Sequence, residues 1–324
     1  MTPRVKIFLT AFILSLPFWW GINLLETNLR DFFYWQEISK NPQIFTAQIE
    51  LEKKLETLKP FRNREVKNLD IKAKSAISVL VNDQGKEKIL FKKNINQKLP
   101  IASLTKLMTS FVVLKHYDLD KEITISKEAI SQMENLGKLE IGEKFPVKYL
   151  LYPLLMESSN DAAFALANDY EGMGERNFVK LMRIEAKNLN LNNTFFDNPT
   201  GLDPEDSGTE LNFSTAFDLV KLTKELLKNP LVWEILATKK YTLYGPELVN
   251  TNELLFDNSI DWQERIVGGK TGYTEMSGGC MILVLRAPNN QGYLINVVLG
   301  TDNNHARFEE MKRLTNWVET AYKW

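Results

Sequence analysis

Ser103 and Lys106 stand three positions apart in Pro100-Ile101-Ala102-Ser103-Leu104-Thr105-Lys106, directly ahead of the apolar run Leu107 to Leu114. Residues three apart on a helix share a face. If Ser103 opens that helix, a hydroxyl and an amine converge one turn apart. The first N–H groups of the helix, which have no partner inside it, are then free to stabilise negative charge on an attacked carbonyl. Such a trio holds a nucleophile, a base and part of an oxyanion site. A serine hydroxyl is a poor nucleophile until a base takes its proton, and a lysine with an ordinary pKa of about 10.4 is already protonated at neutral pH. The chemistry therefore requires burial and a second cation beside Lys106 to push its proton off. Taken alone, the tetrad reads better as an ordinary helix start with an exposed lysine.

The chain has 324 residues, 44% of them hydrophobic and 25% charged, enough to bury a sizeable core. Its 40 basic and 41 acidic side chains leave a net charge of −1, which gives no electrostatic reason to expect a nucleic-acid partner. The single cysteine, Cys280, excludes an internal disulfide, and with two histidines, His116 and His305, little is left to build a metal cage. Cys280 lies in the apolar run Cys280 to Leu285 and reads as a buried strand thiol. Both histidines sit among polar neighbours and read as surface residues.

At the amino end, Arg4 and Lys6 precede Ile7 to Leu25, a stretch without a single charge. A bilayer needs about 20 apolar residues to cross. No Ala-x-Ala-like cleavage site follows, so residues 7–25 read as an uncleaved anchor with the amino end cytoplasmic and the remainder extracytoplasmic. Residues 26–73 read as a juxtamembrane stalk. It begins with the aromatic cluster Phe32-Phe33-Tyr34-Trp35, placed either at the membrane surface or at the start of a helix, and continues as a Glu-, Lys- and Leu-rich helix from Gln48 to Lys59, ended by Pro60.

The elements that must position the tetrad follow from residue 74. Ala76 to Val81, the turn Asn82 to Gly85, and Ile89 to Phe91 form a β-hairpin. A helix from Lys148, apolar nearly all round, breaks at Glu157-Ser158-Ser159-Asn160, where Ser159 reads as a spacer and Asp161 as a cap or brace for the Ala-rich helix that follows. Glu175 to Asn188 is a further helix, Asn198-Pro199-Thr200-Gly201-Leu202 a loop with two breakers, and Ser214 the N-cap of a helix reaching about Lys228. Arg265 to Thr274 is a strand whose glycines suggest close approach by a ligand. Cys280 to Ala287 and Tyr293 to Leu299 make a second hairpin, and a helix from Arg307 to Tyr322 closes the chain.

Three pieces now stand in order: Ser103-x-x-Lys106, Ser158-Ser159-Asn160 and Lys270-Thr271-Gly272. Together they resemble the active-site motifs of the penicillin-interacting serine enzymes. Ser159-Asn160-Asp161-Ala162, Asn198 to Leu202, Lys270 to Thr274, and Val297-Val298-Leu299-Gly300 followed by Arg307 narrow the likeness to the low-molecular-mass D-alanyl-D-alanine carboxypeptidases. The resemblance covers about residue 74 to the end. It implies an α+β fold of the β-lactamase/DD-peptidase type, with an antiparallel sheet flanked by helices, an all-helical subdomain, and a DD-peptidase domain over 74–324. Ser103 should open a central buried helix, facing Lys270 to Gly272 on an edge strand.

The same likeness implies that Ser103 is the acylated nucleophile and Lys106 its base, with Lys270 the required second cation. Ser158 would relay a proton to the leaving amine, and Asn160 would hold the substrate amide and Lys106. The N–H groups of Ser103 and Tyr273 would form the oxyanion hole, while Thr271, Gly272, Tyr273 and Arg307 would bind the substrate and its terminal carboxylate. The implied partners are a peptidoglycan stem peptide and β-lactams as covalent inhibitors, with the membrane engaged through residues 7–25 and no cofactor or metal. A β-lactamase would need a further carboxylate to activate water, for which Glu210 stands in range, although Ser214 to Asp218 follows the peptidase pattern. A DD-endopeptidase on the same fold, or a non-catalytic wall-binding or penicillin-sensing protein, is the other alternative.

Overall fold

The computed structural model describes residues 59–132, 138–170, 173–204, 211–242, 245–288 and 290–324, together with scattered residues before 59. Two compact units divide the chain, Met1–Phe61 and Arg62–Trp324. In the first, the described residues between 25 and 50 are helical, with Phe32, Phe33 and Trp35 exposed. Most of the 7–25 run and of the 48–59 helix expected from sequence lies outside the described residues. Among the described residues, no helix is long and apolar enough to cross a membrane.

The second unit is built on a five-stranded sheet. Its strands are β1 (Ser75–Val81), β2 (Glu87–Lys93), β3 (Ile266–Thr274), β4 (Gly278–Arg286) and β5 (Tyr293–Thr301). In space they run β3-β4-β5-β1-β2, every neighbouring pair antiparallel, so the two sequence hairpins meet where β5 pairs with β1. Val297 stands opposite Ile77 there, and Lys270 opposite Ile282 at the other end, which leaves β3 as an edge strand.

Side chains alternate across a strand, and here both faces are covered. Cys280, Ile282, Val284, Ile77, Val79, Ile295 and Val297 point into one core. Met281, Leu283, Leu285, Leu80, Leu294 and Val298 point into another. Near-continuous apolar runs are what burial on both sides demands, and for the same reason Cys280 is a buried thiol, pushed up to about 11 by burial. The second core is closed by the C-terminal helix, Ala306–Ala321, through Phe308, Met311, Leu314 and Val318, spaced to lie on one stripe. Ile71 and Ala73 already belong to this core.

On the other face lie α1 (Thr105–His116), α2 (Val147–Tyr152), α3 (Asn160–Asn168), α4 (Glu175–Asn188), α5 (Ala216–Leu226) and α6 (Pro230–Ala237). Leu107, Met108, Val112 and Val113 of α1 are wholly buried, so this helix runs through the middle of the large core. The N-cap of α5 is Thr215 rather than Ser214: the Thr215 side chain accepts from Asp218 N, whereas Ser214 pairs with Leu99 in a short bridge between strands. Of the histidines, His305 is open to solvent, and His116 is recruited by the buried Glu185, with Nε2 2.8 Å from Oε1.

Candidate active site

Ser103 sits one turn ahead of the regular helix. Ala102–Leu104 form a short 3₁₀ turn and α1 begins only at Thr105. Ala102 adopts φ of 46°, a left-handed conformation that a residue with a Cβ rarely takes, and such strain tends to gather where a loop must aim a functional group. The buried Lys106 answers from the first turn of α1, its Nζ 2.9 Å from Ser103 Oγ. Lys106 Nζ also donates to Asn160 Oδ1 at 2.8 Å and to Thr200 O at 2.7 Å. Those last two oxygens can only accept. Ser103 is a hydroxyl, so it either accepts from an ammonium or donates to a neutral amine without any heavy atom moving.

The second motif owes its place to a broken helix. After α2, Pro153–Glu157 form a π-helical turn that ends at Ser158, itself left-handed at φ of 63°. Turns of this kind concentrate at functional sites because they re-aim the chain without ending it. Ser159 then caps α3, accepting from Ala162 N at 3.1 Å. Ser159 is therefore not a spacer. The cap expected of Asp161 is supplied by Ser159, and Asp161 lies buried in the first turn of the helix. The break leaves Asn160 reaching Lys106 on α1 and Ser158 reaching Lys270 on β3.

From the sheet edge, Lys270 Nζ donates to Ser158 Oγ at 2.9 Å and to Thr271 O at 3.0 Å. Lys270 is 1% exposed, and burial first, then the Lys106 and Arg307 charges, hold its pKa well below that of an ordinary lysine. The two ammonium groups required by the chemistry thus share one cleft. Gly272 lies against the nucleophile turn: a Cβ there would come 3.0 Å from Ser103 N and 3.1 Å from Ile101 O. Close approach does explain this strand glycine, but the neighbour is the protein's own chain, where the sequence suggested a ligand. Tyr273, next along the strand, is 40% exposed.

Arg307 is 6% exposed. Its Nη1 donates to Gly272 O at 3.1 Å, and among the described residues its Nε has no acceptor. Burial lowers its pKa to about 10. It braces the strand that passes Ser103 and adds positive charge behind it.

Residues that sequence reasoning left without a role complete the cleft. Asn198 Oδ1 accepts from Thr200 N at 3.2 Å and Gly201 N at 2.6 Å, closing the loop that presents Thr200 O to Lys106. Asn212 fastens that loop to α1, its Nδ2 donating to Asn198 O at 2.9 Å and Thr105 Oγ1 at 3.0 Å. Gly201 has φ of +86°, and a Cβ there would collide with Ala102 O. The signal was present as Asn-Pro-Thr-Gly, but a breaker pair announces a turn and not its target. Glu210 lies outside the described residues. Among the described residues, no cluster of histidine, cysteine and carboxylate side chains could hold a metal ion.

A family model described as D-alanyl-D-alanine carboxypeptidase matches residues 62–303. The chain is 35% identical to a D-alanyl-D-alanine endopeptidase of Pseudomonas aeruginosa, over 75% of this chain and 77% of that protein. It is 34% identical to the D-alanyl-D-alanine carboxypeptidase DacF of Bacillus subtilis, over 78% of this chain and 63% of that one. Among solved structures, penicillin-binding protein D2 of Listeria monocytogenes, in a cefotaxime-bound form, superposes with a TM-score of 0.66 at 28% identity, over 78% of this chain and 99% of that one.

Proposed function

The chain belongs to the D-alanyl-D-alanine carboxypeptidase family, and from that premise we propose that it removes the terminal D-alanine from peptidoglycan stem pentapeptides through an acyl-enzyme on Ser103. The observation that carries this reading is the paired contact of Lys106 with Ser103 at 2.9 Å and Lys270 with Ser158 at 2.9 Å in one buried cleft. In the acylation step Ser103 Oγ bonds to the penultimate carbonyl carbon as Lys106 takes its proton. The N–H groups of Ser103 and Tyr273 hold the oxyanion, an arrangement in which losing one donor costs about 10²–10³ in rate. The C–N bond then breaks, and the proton passes by way of Ser158 to the departing D-alanine amine. Water repeats the sequence on the acyl-enzyme and frees Ser103. Asn160 holds the substrate amide. Thr271 and the charge of Arg307 favour a substrate with a free terminal carboxylate.

A β-lactam presents a strained amide to the same hydroxyl and should acylate it, as the cefotaxime-bound relative suggests by analogy. We place this unit outside the cytoplasmic membrane, carried by the uncharged run 7–25 behind Arg4 and Lys6. The deciding experiment is release of D-alanine from a D-Ala-D-Ala peptide. Release by the wild type and none by Ser103→Ala supports the reading; no release by the wild type overturns it.

A second reading, cleavage of D-alanyl cross-links, draws on one observation. The chain covers 77% of the Pseudomonas endopeptidase but 63% of DacF. Supplying the enzyme with a cross-linked muropeptide dimer and a monomeric pentapeptide in competition separates the two, since the preferred substrate is consumed first.

A further inference from the structure

The structure assigns a positioning role to Thr251, a residue outside the three motifs: its hydroxyl sets the direction in which Thr271 offers a proton to the terminal carboxylate of the substrate. The inference rests on the reading above, in which Thr271 faces that carboxylate. Thr251 Oγ1 lies 2.7 Å from Thr271 Oγ1. Its N–H donates to Met156 O at 3.0 Å, in the π-helical turn that ends at Ser158. One residue thus joins the turn carrying the second motif to the strand carrying the third.

Both neighbours of Thr251 are held hard. Asn250, 5% exposed, donates from Nδ2 to Leu236 O at 3.2 Å and Thr238 O at 2.9 Å, at the end of α6. Its Oδ1 accepts from Asn252 N at 2.9 Å, and the wholly buried Asn252 packs so closely on β3 that a Cβ at Gly269 would lie 2.9 Å from its Nδ2. The Thr251 backbone has little freedom. Its side chain is half-buried, beside Thr271 at 3% exposure.

A hydroxyl has one proton to give and lone pairs to receive with, whereas an ionised carboxylate only accepts. To bind that carboxylate, Thr271 must aim its proton at the substrate. The bond with Thr251 must then run from Thr251 to Thr271. In the resulting chain, Thr251 O–H to Thr271 O–H to carboxylate, each link polarises the next. A neutral ester at the same place draws far less on that polarisation. Thr251 is therefore a selector for the free acid, acting through Thr271 and touching no reacting atom.

Thr251→Val removes the hydroxyl and keeps the shape, and Thr251→Ser keeps the hydroxyl. The measurement is the second-order rate of Ser103 acylation by benzylpenicillin and by its methyl ester, with kcat and KM on a D-Ala-D-Ala peptide beside it. Thr251→Val is expected to slow acylation by the acid about tenfold and by the ester less than about twofold, and to raise KM rather than lower kcat. Thr251→Ser should restore the acid rate, and in a Thr271→Val background Thr251→Val should cost nothing further. Equal losses for acid and ester, no rescue by serine, or full additivity with Thr271→Val each overturn the inference. If the wild type is acylated but releases no D-alanine, the peptidase reading fails while the acid-to-ester comparison still decides on Thr251. If Ser103 is not acylated at all, both fall.

Discussion

At Lys270 the cost of burial becomes a chemical asset. Its ammonium has lost its water and faces the Lys106 and Arg307 charges, which together hold its pKa well down. Two cations that repel one another shed the first proton of the pair at a lower pH than a solitary lysine would, and a pair one proton short is the state in which Ser103 can be activated. The sign of the pH effect follows. Lys270→Gln leaves a single lysine without its repelling partner, so the cleft sheds its proton only at higher pH and the acid limb of the acylation rate is expected to move up. Lys270→Arg keeps the charge and should leave the limb close to its wild-type position, even where the rate itself falls. Rates of penicillin acylation between pH 5 and 10 check both. Gly272 offers a steric counterpart. Gly272→Ala sets a Cβ 3.0 Å from Ser103 N and 3.2 Å from Ala102 Cβ, with backbone on one side that cannot rotate away. A folded protein with acylation reduced about a hundredfold is the expected result, measured by labelled penicillin on material whose circular dichroism matches wild type.

Among the elements, the interruption between α2 and α3 does most to assemble the cleft. A continuous helix would turn Ser158 and Asn160 to different faces, since neighbours two apart do not align. The π-helical turn, the left-handed Ser158 and the Ser159 cap bring Ser158 to Lys270 and Asn160 to Lys106. Ser159→Ala should lower stability by about 1 kcal/mol, read as a shift in the urea midpoint, and slow acylation because α3 then starts less firmly at Asn160. Ser159→Asp, which can still accept from Ala162 N, should recover most of the stability. Sequence showed that the helix must break here, because Glu-Ser-Ser-Asn follows an apolar stretch. It did not show that Ser159 rather than Asp161 supplies the cap. Both residue types cap helices, and the choice depends on a first helical residue that pattern alone cannot place.

On the scale of the whole molecule, the sheet separates two cores and only one of them touches the cleft. The nucleophile helix lies in the larger core, while the C-terminal helix packs over the other face through Phe308, Met311, Leu314 and Val318. Leu314→Ala, a truncation at a fully buried site, should destabilise by about 2–5 kcal/mol in denaturant unfolding. Acylation by penicillin of the remaining folded fraction should be nearly unchanged, because the lost contacts lie across the sheet from Ser103. Arg307 is the exception on that helix, reaching from its first turn to Gly272 O.

By itself the sequence determined the strands, most of the helices, the hairpin pairing and the residue types of the three motifs. Those signals are local: alternation, helical spacing, turn residues and short words are each complete within a dozen positions. It determined too that Lys106 needs a second cation, from the ordinary basicity of an amine. The family resemblance named Lys270 as that cation and put it on an edge strand; only the tertiary structure decided that β5 pairs with β1, that Arg307 is buried, and that Thr200 O, Asn198, Asn212 and Thr251 belong to the cleft. The reason is separation along the chain. Thr200 lies 94 residues from Lys106, and Lys270 lies 112 from Ser158. Contacts of that kind depend on how two cores pack against one sheet, and no local pattern records it.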